Sequence, residues 1–189
     1  RYIIDTDNPA FFKDICYKFQ FPNGMDTPGK IIDNHKDGIK IRQFSFILEL
    51  LRLAEKNEYF LTKKEIGYYV LNAKDVLQGK TEPQEVLNTV LSARRTDTIR
   101  ALPSGTNTTQ HITEQLNLLK FANLIKVYGS EIRLNKYEEK CINFIASKWS
   151  EPLLFDTYIY SLDNPKEIAN FRSAWQSHYS SFDSGLYEN

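Results

Sequence analysis

His111-Ile112-Thr113-Glu114-Gln115-Leu116-Asn117-Leu118-Leu119-Lys120-Phe121-Ala122-Asn123-Leu124-Ile125-Lys126-Val127-Tyr128-Gly129-Ser130-Glu131-Ile132-Arg133-Leu134 changes its hydrophobic period partway along, and that change decides the fold. In the first half Ile112, Leu116 and Leu119 recur at helical spacing, with Gln110, Glu114 and Asn117 on the opposite side. The second half holds two β-rich runs, Leu124 to Tyr128 and Glu131 to Leu134, around Gly129-Ser130. That is a hairpin pattern. The spacing therefore predicts a helix from about Gln110 to Asn123 that runs directly into a two-stranded hairpin.

Further helices are expected on the N-terminal side. Thr62 and Glu65, three residues apart ahead of Ile66, form a capping box that starts a helix with Ile66, Tyr69 and Val70 inward. Before it, Arg42 to Lys56 is apolar nearly all round, with Phe44, Ile47, Leu48 and Leu51 on one face and Phe46, Leu50 and Leu53 widening it. Such a helix belongs in the middle of a domain. A fourth helix should begin near Pro83, capped by Thr81 with Gln84 as return partner, and reach about Arg95. At the N-terminus, Asn8-Pro9 opens a helix whose inner face is Phe12, Ile15, Cys16 and Phe19. From Gln20 to Gly38 the pattern is a long irregular loop, either a surface connector or a functional loop.

Beyond the hairpin, Tyr137 to Trp149 reads as a helix. Asn164-Pro165 starts another, running to about Ser177, and Ser180 onward reads as linker or tail. The expected fold is mainly α: a winged helix, that is a helix-turn-helix-like bundle with a two-stranded β-wing, plus flanking helices. Residues 1–40 form an N-terminal helix and long loop, 41–150 the winged-helix domain, and 151–189 a C-terminal helical extension and linker.

The 189 residues carry no net formal charge, but eleven basic and only seven acidic side chains fall between 61 and 136, and four basic and eight acidic ones beyond 136. A positive middle suits local contact with a polyanion. No apolar run approaches the length that spans a bilayer. Cys16 and Cys141, each in an amphipathic pattern, are expected as buried free thiols, which fits a reducing cytoplasm. A start at Arg1 in a polar stretch suggests a piece of a longer protein.

Catalytic chemistry is hard to place. His35, His111 and His178 lack zinc-ligand spacing with one another or with cysteine. Neither a G-x-G-x-x-G, a P-loop nor a G-x-S-x-G turn occurs. The one E-x-K, Glu138-Glu139-Lys140, has no Pro-Asp upstream and reads as a solvated helix face. No catalytic residue, metal ligand or cofactor site is expected in this chain.

DNA contact is easier to place. Phosphates are met by cations, hydroxyls and free helix N-termini. Thr108 and Thr109 stand at the expected start of the helix before the hairpin. Gln110, Thr113 and Asn117 can reach base edges from it, Gln and Asn suiting adenine. Arg94, Arg95 and Arg100 form the densest basic cluster, Lys126 and Arg133 lie on the wing, and Lys63 and Lys64 occupy a helix first turn. In a winged helix, the helix before the hairpin lies in the major groove and the wing touches backbone or minor groove.

The segments Lys18 to Pro22, Leu61 to Ile66 and Leu124 to Asn135, in that order, resemble type II restriction endonucleases of the AlwI kind, which include type IIS enzymes and their nicking relatives. The resemblance covers about residues 8 to 150 and departs from the group at Asn123, where that group has glycine. It implies the DNA-recognition part of a site-specific, Mg²⁺-dependent nuclease. The cleavage domain, and a further winged-helix subdomain upstream, would lie outside these residues. The expected partners are double-stranded DNA and that nuclease domain or subunit. Two other readings remain at this point: a winged-helix transcription regulator, dimerising through its last two helices, and a winged helix that binds only protein.

Overall fold

A computed structural model of the chain describes residues 8–99, 106–154 and 164–181, without the side chains of 106–108. The first helix, α1 (Pro9–Lys18), starts where expected, with Asn8 Oδ1 accepting from the Ala10 and Phe11 amides at 3.1 and 3.4 Å. Next come α2 (Pro28–Lys36), α3 (Gln43–Lys56), β1 (Leu61–Thr62) and α4 (Lys63–Ile66). A π-helical turn, Gly67–Leu71, continues α4 and leads to the short α5 (Lys74–Leu77). α6 (Pro83–Arg95) and α7 (Thr106–Phe121) precede the hairpin strands β2 (Ile125–Tyr128) and β3 (Glu131–Leu134). α8 (Glu139–Ala146), flanked by 3-10 turns, and α9 (Pro165–Ser180) follow.

The centre is α3, as its apolar circumference requires. Phe44, Ile47, Leu48, Leu51 and Ala54 are fully or almost fully buried, and Phe46 and Leu50 cover the remaining sides. α1, α6, α8 and β3 pack around it. Burying each such large side chain contributes about 1.5–3 kcal/mol. Cys16 and Cys141 are free and buried in the same core.

The wing differs from expectation in one respect. It belongs to a three-stranded antiparallel sheet of order β1-β3-β2, with Leu61 opposite Ile132 and Lys126 opposite Arg133. The third strand is only two residues long and merges into the capping box, so it shows no alternation in the sequence. Glu55 Oε1 of α3 accepts from the Leu134 amide at 2.6 Å and ties the sheet to the central helix.

α7 begins at Thr106, one turn before the expected start at Gln110. Its other end explains Asn123. Asn123 adopts φ 58°, its amide bonds Lys120 O at 2.9 Å, and the Leu124 amide bonds Leu119 O at 3.0 Å. This is a Schellman stop, whose left-handed residue is usually glycine and sometimes asparagine. Asn123 thus supplies the left-handed turn that ends α7.

Two further expectations are corrected. The span Gln20 to Gly38 contains α2, capped by Thr27, whose Oγ1 accepts from Lys30 N at 3.4 Å. The Thr27-Pro28 start was hidden among polar and glycine residues. α6 begins after Glu82 rather than Thr81, with Glu85 Oε2 accepting from the Glu82 amide at 3.0 Å, while Gln84 donates to Asn88. The C-terminal helix packs back onto α2: Ile168, Phe171 and Trp175 of α9 bury Ile31 of α2 in a second small core. Gly24 makes this possible, since a Cβ there would lie 2.3 Å from Trp175 Cβ. The apolar face that could have served dimerisation through α9 is thus used internally. Gln20, fully buried, holds Leu154 by a two-way amide pair at 2.8 Å each, and Arg42 Nη2 donates to Pro152 O at 2.8 Å.

Candidate nucleic-acid interface

α7 has two unlike faces. Ile112, Leu116 and Leu119 are buried, as their spacing requires. Thr109, Gln110, His111, Glu114, Lys120 and Phe121 are exposed, and Thr113 and Asn117 half-buried. Gln110 Nε2 donates to Glu114 Oε1 at 2.9 Å, and His111 Nδ1 lies 3.5 Å from Glu114 Oε2. As placed, Gln110 therefore has one amide proton already engaged. Glu114 lies on the polar stripe visible in the sequence but was not among the expected contact residues; its mid-stripe position was the signal available.

The lysine at the start of α4 reaches this helix. Lys63 Nζ donates to the Thr113 hydroxyl, and Thr113 Oγ1 donates to Thr109 O at 2.7 Å. Lys63 and Thr113 thus join the two helices of the helix-turn-helix, and Thr113 has no donor left for a base. Lys64 next to them is exposed.

Arg94 is not an outward-facing cation. Its Nε and Nη2 donate to Glu65 Oε1 and Oε2 at 2.6 and 2.7 Å, and Nη2 also reaches Phe60 O at 2.7 Å. Glu65 Oε2 further accepts from the Thr62 amide and hydroxyl at 2.8 and 2.9 Å, completing the capping box. Burial raises the Glu65 pKa, but the hydrogen bonds from Arg94 and Thr62 outweigh it, and the net shift is downward. Arg94 is held further toward its charged form, first by the Glu65 hydrogen bond. This is a structural brace between α6, α4 and the start of β1. Arg95, one residue on, is exposed. Arg100 and the Thr108 side chain lie outside the described residues.

On the wing, Arg133 is also engaged: Nη2 donates to Glu131 Oε2 at 2.6 Å, and the guanidinium lies 3.9 Å from the Phe60 ring centre and 5.5 Å from that of Tyr128. Lys126 has a cation–π neighbour, Tyr137, at 5.2 Å. The E-x-K does not suit a metal. Glu138 accepts from Lys13 Nζ at 2.6 Å and from Asn123 Nδ2 at 3.2 Å, so it is part of a half-buried ion pair and not a solvated face. Among the described residues, no group of three or more His, Cys, Asp or Glu side chains is arranged to hold an ion. Burial pushes both thiols upward, that of Cys141 to about 11, which disfavours the nucleophilic thiolate. Among the described residues, no helix is long and apolar enough to cross a membrane.

The order α3, β1, α4, α7, wing, with β1 pairing back onto β3, the second hairpin strand and the central strand of the sheet, defines a winged-helix domain carrying an inserted α5 and α6. The chain matches the family described as the N-terminal part of the restriction endonuclease BpuJI over residues 1–176, and it belongs to that family. A crystal structure of pyrene- and phenanthrene-modified DNA in complex with the BpuJ1 endonuclease binding domain is similar to it, with a TM-score of 0.87 and 44% sequence identity. The match covers 95% of this chain, which spans 66% of the chain in that crystal structure. No curated protein matches.

Proposed function

We propose that this chain binds double-stranded DNA sequence-specifically, as the recognition part of a type II restriction endonuclease whose cleavage domain lies elsewhere in the parent protein. The observation that carries this reading is the winged-helix arrangement shared, at 44% identity, with a domain crystallised on DNA. The local geometry agrees with it. α7 stands ahead of the wing with a polar outer face, where a winged helix presents side chains to the major groove. Asn117 and Gln110 are the base-reading candidates. Lys64, Arg95, Thr109 and Lys126 are the phosphate candidates, joined by Lys63 through the ammonium protons left after Thr113. Arg94 and Arg133 act by holding the wing.

We propose also a finer kinship with enzymes of the AlwI kind, resting on the order of the three similar segments in the sequence, which lie here at the end of α1, the start of α4 and the wing. Mg²⁺ would serve the parent's cleavage domain, and two buried free thiols fit a reducing cytoplasm. The test is selection from a pool of random duplexes. One short enriched site is expected. Recovery of the input pool unchanged, from folded protein, would overturn the reading.

A further inference from the structure

Glu114 occupies an unfavourable place for a carboxylate. It sits mid-stripe on the outer face of α7, with Gln110 and His111 on the preceding turn. Duplex DNA carries one phosphate charge per about 1.7 Å of axis, so an acidic group on a groove-facing helix is repelled by its surroundings. The repulsion is offset only where the carboxylate meets a hydrogen-bond donor. In the major groove, guanine offers acceptors, thymine an acceptor and a methyl group, adenine an acceptor beside its amino group, and cytosine an amino donor alone.

The carboxylate is also restrained. Gln110 Nε2 at 2.9 Å holds one oxygen and His111 Nδ1 at 3.5 Å faces the other. Each carboxylate oxygen has two acceptor sites, so both keep one free. The donors come from the preceding turn of the same helix and leave the carboxylate facing outward, its side chain 54% exposed. We propose that Glu114 is a specificity-determining residue that accepts from the exocyclic amino group of one cytosine in the target duplex. Resting on the DNA-binding reading above, this adds a base identity to it.

The experiment compares wild type with Glu114→Gln on the selected duplex and on each of its single-base-pair variants. The substitution is isosteric and exposed, and folding is checked by thermal unfolding. Wild type should lose about 5- to 150-fold in affinity when one particular C·G pair is replaced. Glu114→Gln should lose that preference at this position alone and shift toward adenine, which a glutamine amide can pair with at N6 and N7. If both proteins rank every base identically, or the variant weakens all duplexes equally, Glu114 reads no base and the proposal falls while DNA binding stands. If folded wild type binds no duplex above background, the DNA-binding reading fails first and takes this proposal with it.

Discussion

Glu65 and Glu114 are two carboxylates on the two helices that form the helix-turn-helix, and they have opposite surroundings. Glu65 is 2% exposed and accepts four hydrogen bonds, two from Arg94 and two from Thr62. Glu114 has its side chain 54% exposed, with one hydrogen bond from Gln110 and a longer approach from His111. The root of the wing is therefore a buried joint held by four hydrogen bonds and a countercharge, whereas the carboxylate on the outer face of α7 stays open to solvent. Side chains at the joint should govern stability, and side chains on the face should govern recognition.

The sharpest way to separate the two roles lies within α7 itself. Ile112→Asp places an unpaired charge at a position 1% exposed and should destabilise the protein by roughly 4 kcal/mol or more in urea unfolding. A variant that unfolds like wild type would mean α7 does not dock through its apolar stripe. At the joint, Arg94→Ala strips Glu65 of its countercharge. A buried pair broken this way costs about 3–5 kcal/mol, and partial exposure of Arg94 brings the expected loss to about 2–3 kcal/mol. The comparison breaks if stability holds while the salt dependence of DNA binding weakens by one phosphate contact, because Arg94 would then be facing the DNA.

Acid should act on the same joint. The folded-state pKa of Glu65 lies below its unfolded value, so this carboxylate stabilises the protein fully above the unfolded value of about 4.3 and loses that effect as pH falls through the folded pKa. Urea midpoints measured downward from pH 6 should fall less steeply in Glu65→Gln than in wild type; parallel curves would contradict the assignment. Thr62→Ala, which removes the side-chain half of the capping box, should cost about 1 kcal/mol. The smallest stability effect, within about 0.5 kcal/mol, belongs to exposed Arg95→Ala. Its affinity loss should be uniform across sequences, whereas Asn117→Ala should cost about 1–3 kcal/mol on the selected site alone. Reversed patterns in titrations of specific and scrambled duplexes would exchange the two roles.

Periodicity carried most of the fold. The apolar circumference of α3, the stripe of α7, the Thr62–Glu65 box and the hairpin around Gly129 are local patterns, and local patterns are visible in one sequence. The elements missed were those whose signal is short or whose partner is distant. β1 has two residues, α2 lies in a polar stretch and owes its position to Ile168, Phe171 and Trp175 more than 130 residues away, and α7 starts within a run of Thr and Asn that also suits a cap. The site was legible by location and only partly by role. Arg94, Arg95 and Arg100 look alike in sequence, and only the fold places Glu65 and the Phe60 carbonyl against the first. Arg133 likewise could not announce its place near the Phe60 and Tyr128 rings.

In the proposed function, α7 and the wing bring this chain onto duplex DNA. The most direct test is the affinity of wild type for the selected duplex across a salt series. Each neutralised phosphate contributes about −0.9 to the slope of log K against log salt. A clearly negative slope that corresponds to fewer than about six phosphate contacts is expected, because Arg94 and Arg133 are engaged within the protein and, among the described residues, the exposed cations on α4, α6 and α7 are few: Lys64, Arg95 and Lys120. A slope of zero, with the protein folded, would contradict it.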